Sequence, residues 1–362
     1  RSCCAISKTP AKRAPTPTPK VSSKRSKNSG PARATDPRDA WVRLKVDDHS
    51  FECWAETKRP PPGLQIGPAT SFWPFLRRYV WRPIRRRLFD TAIWLVGEYQ
   101  SGIDQALDIR ITDTTVPVPG LDPRLDGFSI LQVSDLHVGA MPGILEAALT
   151  ALDGATVDLL VFTGDYAPKY IAPPEDVIPP LRGLITAVES HAGTFAILGN
   201  YDSAALARQL RAEPGCTLLI NETVELQHAG ATISITGTDD PYDQPNEPIA
   251  HALATRGPGF SIALVHTPDL AAEAAAAGHD LYLCGHTHGG QICLPNNRPL
   301  LTNCRKRRDL AYGLWREGNM WGYTTRGVGV SGIARRHNCP PEIPRITLLA
   351  VNPIAGDQES TG

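Results

Sequence analysis

Residues 125–139 read LDGFSILQVSDLHVG, and this stretch decides the fold. Phe128 to Ser134 is an apolar run of strand length that opens after Asp126-Gly127 and closes on Asp135 and His137. A run this continuous, without polar alternation, is the mark of a strand buried on both faces. The same grammar repeats outward along the chain. Residues 159–163 end at Asp165 of TGD, 194–198 at Asn200 of GNYD, 261–265 at His266, and 281–284 just before His286 and His288 of GHTHGGQ. Between the first two runs, Ile144, Leu145, Ala148 and Leu149 form the apolar face of a helix over 143–152. Residues 224–227 and 232–236 read as a hairpin around Ala229-Gly230, and 323–330 and 345–351 as late strands. Each polar residue lies at the C-terminal end of an apolar strand, where open α/β sheets hold their ligands. The expected fold is α/β, a two-sheet β-sandwich flanked by helices.

The polar residues form a chemical set. Asp135, His137, Asp165, Asn200, His266, His286 and His288 offer the mixed oxygen and nitrogen donors that two divalent cations need, with a carboxylate to share between them. Taken singly, a Gly-Asp turn or an Asp after a strand is ordinary loop chemistry. Five such motifs in order point to one two-metal hydrolytic site. Neutral imidazoles and carboxylates suit manganese, iron or zinc, and manganese is the first expectation.

The remainder of the chain bounds what surrounds that site. Its 362 residues carry no net charge, yet the first 100 hold 20 Lys and Arg against 8 Asp and Glu, and the other 262 hold 17 against 29. Nucleic acid is thus disfavoured as a partner of the acidic catalytic body. Residues 1–70, rich in Pro, Lys, Arg and Ser, are expected to be disordered, because so few apolar side chains cannot offset the ordering entropy. Residues 71–104 interleave Trp73, Trp81 and Trp94 with Arg77, Arg78, Arg82, Arg85, Arg86 and Arg87. That pattern suits a helix lying on an anionic membrane surface, and equally a helix that caps the catalytic domain. No apolar run is long enough to span a bilayer or to serve as a secretory signal. The expected domain covers 105–353, with a flexible tail at 354–362, and the expected location is cytoplasmic, peripheral on the inner face of the membrane. The eight cysteines show no CxxC spacing; Cys293, Cys304 and Cys339 are available to pair if the domain is exported.

The order DxH, GD, GNxD, H, GHxH is similar to that of the calcineurin-like metallophosphoesterase superfamily. The stretches LDGFSILQVSDLHVG, CGHTHGGQICLP and GVGVSGIARRHNCPPE resemble its branch of membrane-associated bacterial phosphodiesterases, which includes hydrolases of UDP-2,3-diacylglucosamine. The resemblance covers about residues 106–351. It implies one metal held by Asp135, His137, Asp165 and His288, and a second by Asp165, Asn200, His266 and His286, with Asp165 bridging. It also implies in-line attack on phosphorus by a hydroxide held between the metals, with Asp165 and Asn200 in catalytic roles. The family's usual GNHD reads GNYD here, so Tyr201 stands where the family has a His that protonates the leaving group, with Asp202 behind it. A phenol of pKa about 10 is a poorer donor near neutrality than imidazolium. The substrate is therefore expected to carry a good leaving group, as in a phosphorylated small molecule or a nucleotide-diphosphate lipid. The resemblance places His337 near the pocket, and Arg335, Arg336 and the basic run 305–308 are candidate phosphate contacts. Alternatives are a soluble phosphatase or nuclease of the same fold, or a non-catalytic scaffold.

Overall fold

The computed structural model describes residues 42–43, 48–58, alternate positions from 91 to 97, and 98–351 apart from 242–246, 297, 301, 303 and 305. The expectations for residues 1–41, 59–90 and 354–362 lie outside the described residues.

Two sheets form the centre. One runs β2 (Arg110–Pro119), β15 (Glu342–Val351), β3 (Ser129–Val133), β5 (Leu159–Phe162), β7 (Thr194–Ala196) and β8 (Thr217–Leu218). The other runs β1 (Val42–Arg43), β9 (Glu222–His228), β10 (Ala231–Gly237), β11 (Phe260–Leu264), β12 (Leu281–Cys284), β14 (Met320–Thr324) and β13 (Gly313–Glu317). A short parallel pair, β4 (Ala155–Val157) with β6 (Val188–Ser190), lies outside both. Parallel pairing joins β3 to β5 to β7, and β10 to β11 to β12, so the five motif-bearing strands point their C-terminal ends the same way within each sheet.

The apolar runs are continuous because each strand packs on both sides. In β5, Leu159 and Val161 face the layer between the sheets with Ile130, Ile197, Ile233, Ile262 and Leu283. Leu160 and Phe162 face outward, under α3 (Ile144–Leu152), α4 (Pro174–Ala187) and α5 (Ala204–Arg211), through Ala148, Leu181, Leu184 and Leu210. On the opposite outer face Ala263, Val265 and Tyr282 meet α6 (Glu247–Ala254) and α7 (Ala271–Ala276) through Leu253, Ala271 and Ala274. The two-sheet, helix-flanked architecture expected from the strand grammar is the one found.

Several local expectations need correction. Residues 325–330 are not strand: β14 stops at Thr324, and the following GVGV run crosses to the end of β3, where Val328 and Gly329 donate to the carbonyls of Ser134 and Asp135. Residues 48–57, assigned to the disordered extension, form α1 (Asp48–Thr57). Phe51 and Ala55 are buried, Glu52 and Asp48 pair with Arg208 and Arg211 of α5, and Trp54 Nε1 donates to Asp239 at 2.8 Å beside the Lys58–Asp239 ion pair. A ten-residue helix with a single apolar face carries too little local signal to stand out; its partner on α5 supplies the stability. Finally, α2 (Tyr99–Leu107) follows the basic aromatic segment and packs through Gly102 and Ala106. Among the described residues no helix is long and apolar enough to cross a membrane.

Candidate metal centre

Five of the seven candidate ligands sit in left-handed backbone: Asp135 (φ 54°), His137 (42°), Asp165 (57°), His286 (69°) and His288 (51°). Such conformations are rare for residues with a Cβ and cost about 1–2 kcal/mol each. Here they arise where buried parallel strands end abruptly and the chain must turn its side chains into one pocket. Neighbouring glycines make the turn possible. A Cβ at Gly285 would collide with the Asp135 carboxylate and Ser134 Oγ, and one at Gly199 with the Asp165 carboxylate.

The side chains converge as two buried clusters, Asp135, His137 and His288, and Asp165, His266 and His286. His137 Nε2 faces His288 Nε2 at 3.0 Å with the rings stacked, and His286 Nδ1 faces His266 Nε2 at 3.3 Å. Asp165 Oδ2 lies 3.7 Å from His137 Nε2 and 3.4 Å from His266 Nε2, so one oxygen addresses both clusters. Its Oδ1 accepts the Tyr201 backbone N–H at 2.8 Å. Asp135 Oδ1 lies 3.5 Å from His288 Nε2, and its carboxylate accepts the His286 N–H and the Ser134 hydroxyl.

These residues fit a pair of divalent cations. His137 Nδ1 donates to the Ala167 carbonyl at 3.0 Å and His266 Nδ1 to the Thr163 carbonyl at 2.7 Å. In the neutral ring that makes each Nε2 the lone-pair nitrogen, the arrangement by which a carbonyl orients an imidazole toward a metal. Asn200 is buried and directly precedes Tyr201, whose N–H reaches Asp165; among the described residues its side-chain oxygen has no donor, which at 5% exposure calls for a cation. His288 is held neutral, its pKa lowered by burial and by the adjacent His137 and Arg336.

The buried carboxylates and imidazoles of the pocket shift one another's titration. Burial raises the Asp135 carboxyl, and the negative Asp165 adds to the rise. Asp165 itself is held low, because His266 and His137 outweigh its burial. Burial opposes the charged form of His266, but Asp165, Asp135 and Asp240 overcome it and raise its pKa to about 10. A metal can bind His266 only after that proton leaves. Metal affinity is therefore expected to rise with pH up to about 10, with release of about one proton per centre at pH 8. Calorimetric titration of manganese in buffers of different ionisation enthalpy measures this; binding without proton release would contradict it.

The other candidate residues take distinct places. The Tyr201 ring stands edge-on to His137 with centroids 5.1 Å apart, at the lip of the first cluster. Asp202 is fully buried, and its two oxygens accept the N–H groups of Gly199, Asp165, Tyr166 and Ala167. It braces the GD loop against the GN loop and has no oxygen left to face substrate. Arg336 does not meet substrate either: it is fully buried and donates to the carbonyls of Arg326, Gly327, Gly329, Cys339 and His288. Arg335 stacks its guanidinium over Tyr99 at 4.1 Å, and the His337 ring fills the space left by Gly102. Both thus pack on α2. In the basic run, Arg307 is paired with Asp309 and Glu317. Gln291 was missed as a support: it grips 331–335 through the Ile333 and Arg335 carbonyls and the Ser331 N–H. Its only sequence signal is its place directly after GHTHGG.

Comparison with known proteins agrees with this geometry. Residues 128–290 match the calcineurin-like phosphoesterase family. The chain is 32% identical over 255 residues to the metallophosphoesterase YkuE of Bacillus subtilis, covering 67% of this chain and 87% of that one. It is 27% identical over 247 residues to YkoQ of the same organism, covering 65% and 89%. It is 29% identical over 234 residues to the phosphodiesterase YaeI of Escherichia coli, covering 61% and 82%. With six candidate ligands gathered in two facing clusters, the chain belongs to the calcineurin-like metallophosphoesterases and is a metal-dependent phosphoester hydrolase.

Proposed function

We propose that the chain is a dinuclear phosphodiesterase or pyrophosphatase, loaded with manganese, that acts on substrates with a good leaving group, such as a nucleotide-diphosphate lipid of the UDP-2,3-diacylglucosamine kind. The observation that carries this reading is Tyr201, held at the lip of the cluster by its ring contact with His137 and by its N–H bond to Asp165. The position from which a leaving group would be protonated holds a phenol. When bound, the two metals activate a water and neutralise phosphate oxygens. Asp165 sets the two clusters at a common oxygen, the carbonyls of Ala167 and Thr163 orient His137 and His266, and Asp202 keeps the loops in register. A phosphate anion leaving a diphosphate needs little of the help that an alkoxide leaving an alkyl diester requires. The name of YaeI, a phosphodiesterase, supports the same reaction class.

The segment 71–97 supports a lipid-borne substrate. Six arginines and three tryptophans precede α2, and Leu95 ahead of it and Tyr99 at its start are exposed. The acidic balance of residues 101–362 speaks against a nuclease.

Rates on a nucleotide-diphosphate lipid and on a dialkyl phosphodiester, each in anionic vesicles and in neutral detergent, test the reading. The diphosphate is expected to be hydrolysed at least about 10²-fold faster, with the larger rate on vesicles. Tyr201→His is expected to raise the alkyl diester rate selectively. Equal rates on both substrates, or equal gains from the substitution, would remove the basis for the proposal.

A further inference from the structure

The GHTHGGQ loop and the RRHNC run meet at two thiols that the metal chemistry does not use. Cys293 and Cys339 are both buried, at 5% and 3% exposure. Backbone pairing brings them together: Ile292 bridges His337 in parallel, Cys293 N–H donates to the His337 carbonyl at 2.9 Å, and the Asn338 amide donates to the Cys293 carbonyl at 3.1 Å. The two thiols thereby face the same turn of backbone, residues 288–289. Both also reach one carbonyl, with Cys293 Sγ 3.3 Å and Cys339 Sγ 3.4 Å from Gly289 O, and Cys339 Sγ lies 3.2 Å from His288 O. Gly289 has φ 58°, and a Cβ there would lie 2.9 Å from Cys339 Sγ. The sulfurs therefore press directly on the backbone that presents His288. Cys284, by contrast, sits in β12 and contacts Thr324 and the Tyr323 carbonyl, away from this junction.

We propose that Cys293 and Cys339 are a redox-active dithiol, oxidised to a disulfide by a low-molecular-weight disulfide, and that oxidation weakens metal binding at His288. In the first step one cysteine, as thiolate, attacks a sulfur of the small disulfide and expels one thiolate. In the second, the partner thiolate attacks the protein sulfur of that mixed disulfide, forms the Cys293–Cys339 bond and expels the second thiolate. The protein loses two electrons and two protons; the small disulfide gains both and leaves as two thiols. A disulfide carries no S–H, so the carbonyls of Gly289 and His288 lose donors while the sulfurs are drawn toward each other. The turn that orients His288 then loses a support of the kind whose removal lowers metal affinity by about 10- to 100-fold.

The proposal rests on the metal-centre reading only for the role of His288, and its test does not use hydrolysis. The full chain, loaded with redox-inert zinc, is treated with oxidised glutathione, alkylated and mapped by peptide mass spectrometry. In parallel its zinc dissociation constant is measured by competition with a chelating dye. The expected result is a linked peptide pair joining Cys293 to Cys339, two hydrogens lighter than the reduced pair, and a zinc dissociation constant about tenfold higher that dithiothreitol restores. The Cys293→Ser, Cys339→Ser double variant keeps a hydroxyl donor at each position and should show no change of zinc affinity with oxidant. Cysteines that remain alkylatable, cross-links to other cysteines, or a cross-linked protein with the affinity of the reduced form would each overturn the proposal. A protein that cross-links as expected but hydrolyses no phosphoester would leave the dithiol standing and remove only the substrate reading.

Discussion

Asp165→Ala is expected to lower the rate of bis(p-nitrophenyl) phosphate hydrolysis by about 10³-fold or more. The p-nitrophenolate leaving group needs no strong acid, so the assay reads the metal centre and is indifferent to Tyr201. Asp165 Oδ2 addresses His137 and His266 together, and no other carboxylate in the clusters stands between them in this way. Losing it would remove from both clusters the one carboxylate oxygen that faces them together, and with it the several kcal/mol that two cations held there would contribute to the transition state; each 1.4 kcal/mol is a factor of ten. The substitution also has a structural side, because the carboxylate accepts the Tyr201 N–H and the residue sits at φ 57°, where Ala is strained by about 1 kcal/mol. Asp165→Asn separates the two effects. Asn tolerates left-handed backbone and keeps an acceptor, yet lacks the charge, so the folded protein should still lose metal and rate. An Asp165→Ala protein that retained two bound metals and the wild-type rate would refute the bridging role.

Arg336→Met is expected to lower the stability of the metal-free protein to urea by about 3–5 kcal/mol and, separately, to weaken metal binding about 10- to 100-fold. The guanidinium is fully buried and its five carbonyl partners belong to residues 326–329, 339 and 288. These are the two loops that close over Asp135 and present His288. With the guanidinium gone, their carbonyls remain buried without donors, each at a cost of about 1–3 kcal/mol before relaxation. Lysine should not rescue, since a compact ammonium cannot reproduce a planar fork that reaches several carbonyls at once. Urea unfolding with metal titration decides the matter. Were Arg336 a substrate contact, the substitution would raise KM and leave the unfolding midpoint in place.

The ligand residues were legible because each stands at the end of its own apolar strand, so that a local reading of 125–139 and its four counterparts finds them. Arg336, a candidate phosphate contact by sequence because a charged residue in a polar run is ordinarily exposed, turns inward instead; only its five carbonyl partners, 3 to 48 residues away along the chain, make burial tolerable. The helix α4 carries Pro179 and Pro180 inside it, which argues against a helix locally, yet Val177, Ile178, Leu181, Leu184 and Ile185 bury its face. The strand β2 was invisible for a similar reason: its alternating polar pattern gains regularity from pairing with β15 along ten residues.

By itself the sequence determined the two-sheet α/β core, the candidate metal ligands and the class of chemistry, because buried parallel strands and their terminal turns are written in contiguous residues. Only the tertiary structure decided that Asp202 braces while Asp165 Oδ2 faces both clusters, that Arg336 supports the loops, that α1 belongs to the domain, and that Cys293 and Cys339 meet at the Gly289 carbonyl. Those roles depend on which distant carbonyls, amides and side chains surround a group, and such neighbours are set by packing across the sheets, where sequence spacing carries no record of them.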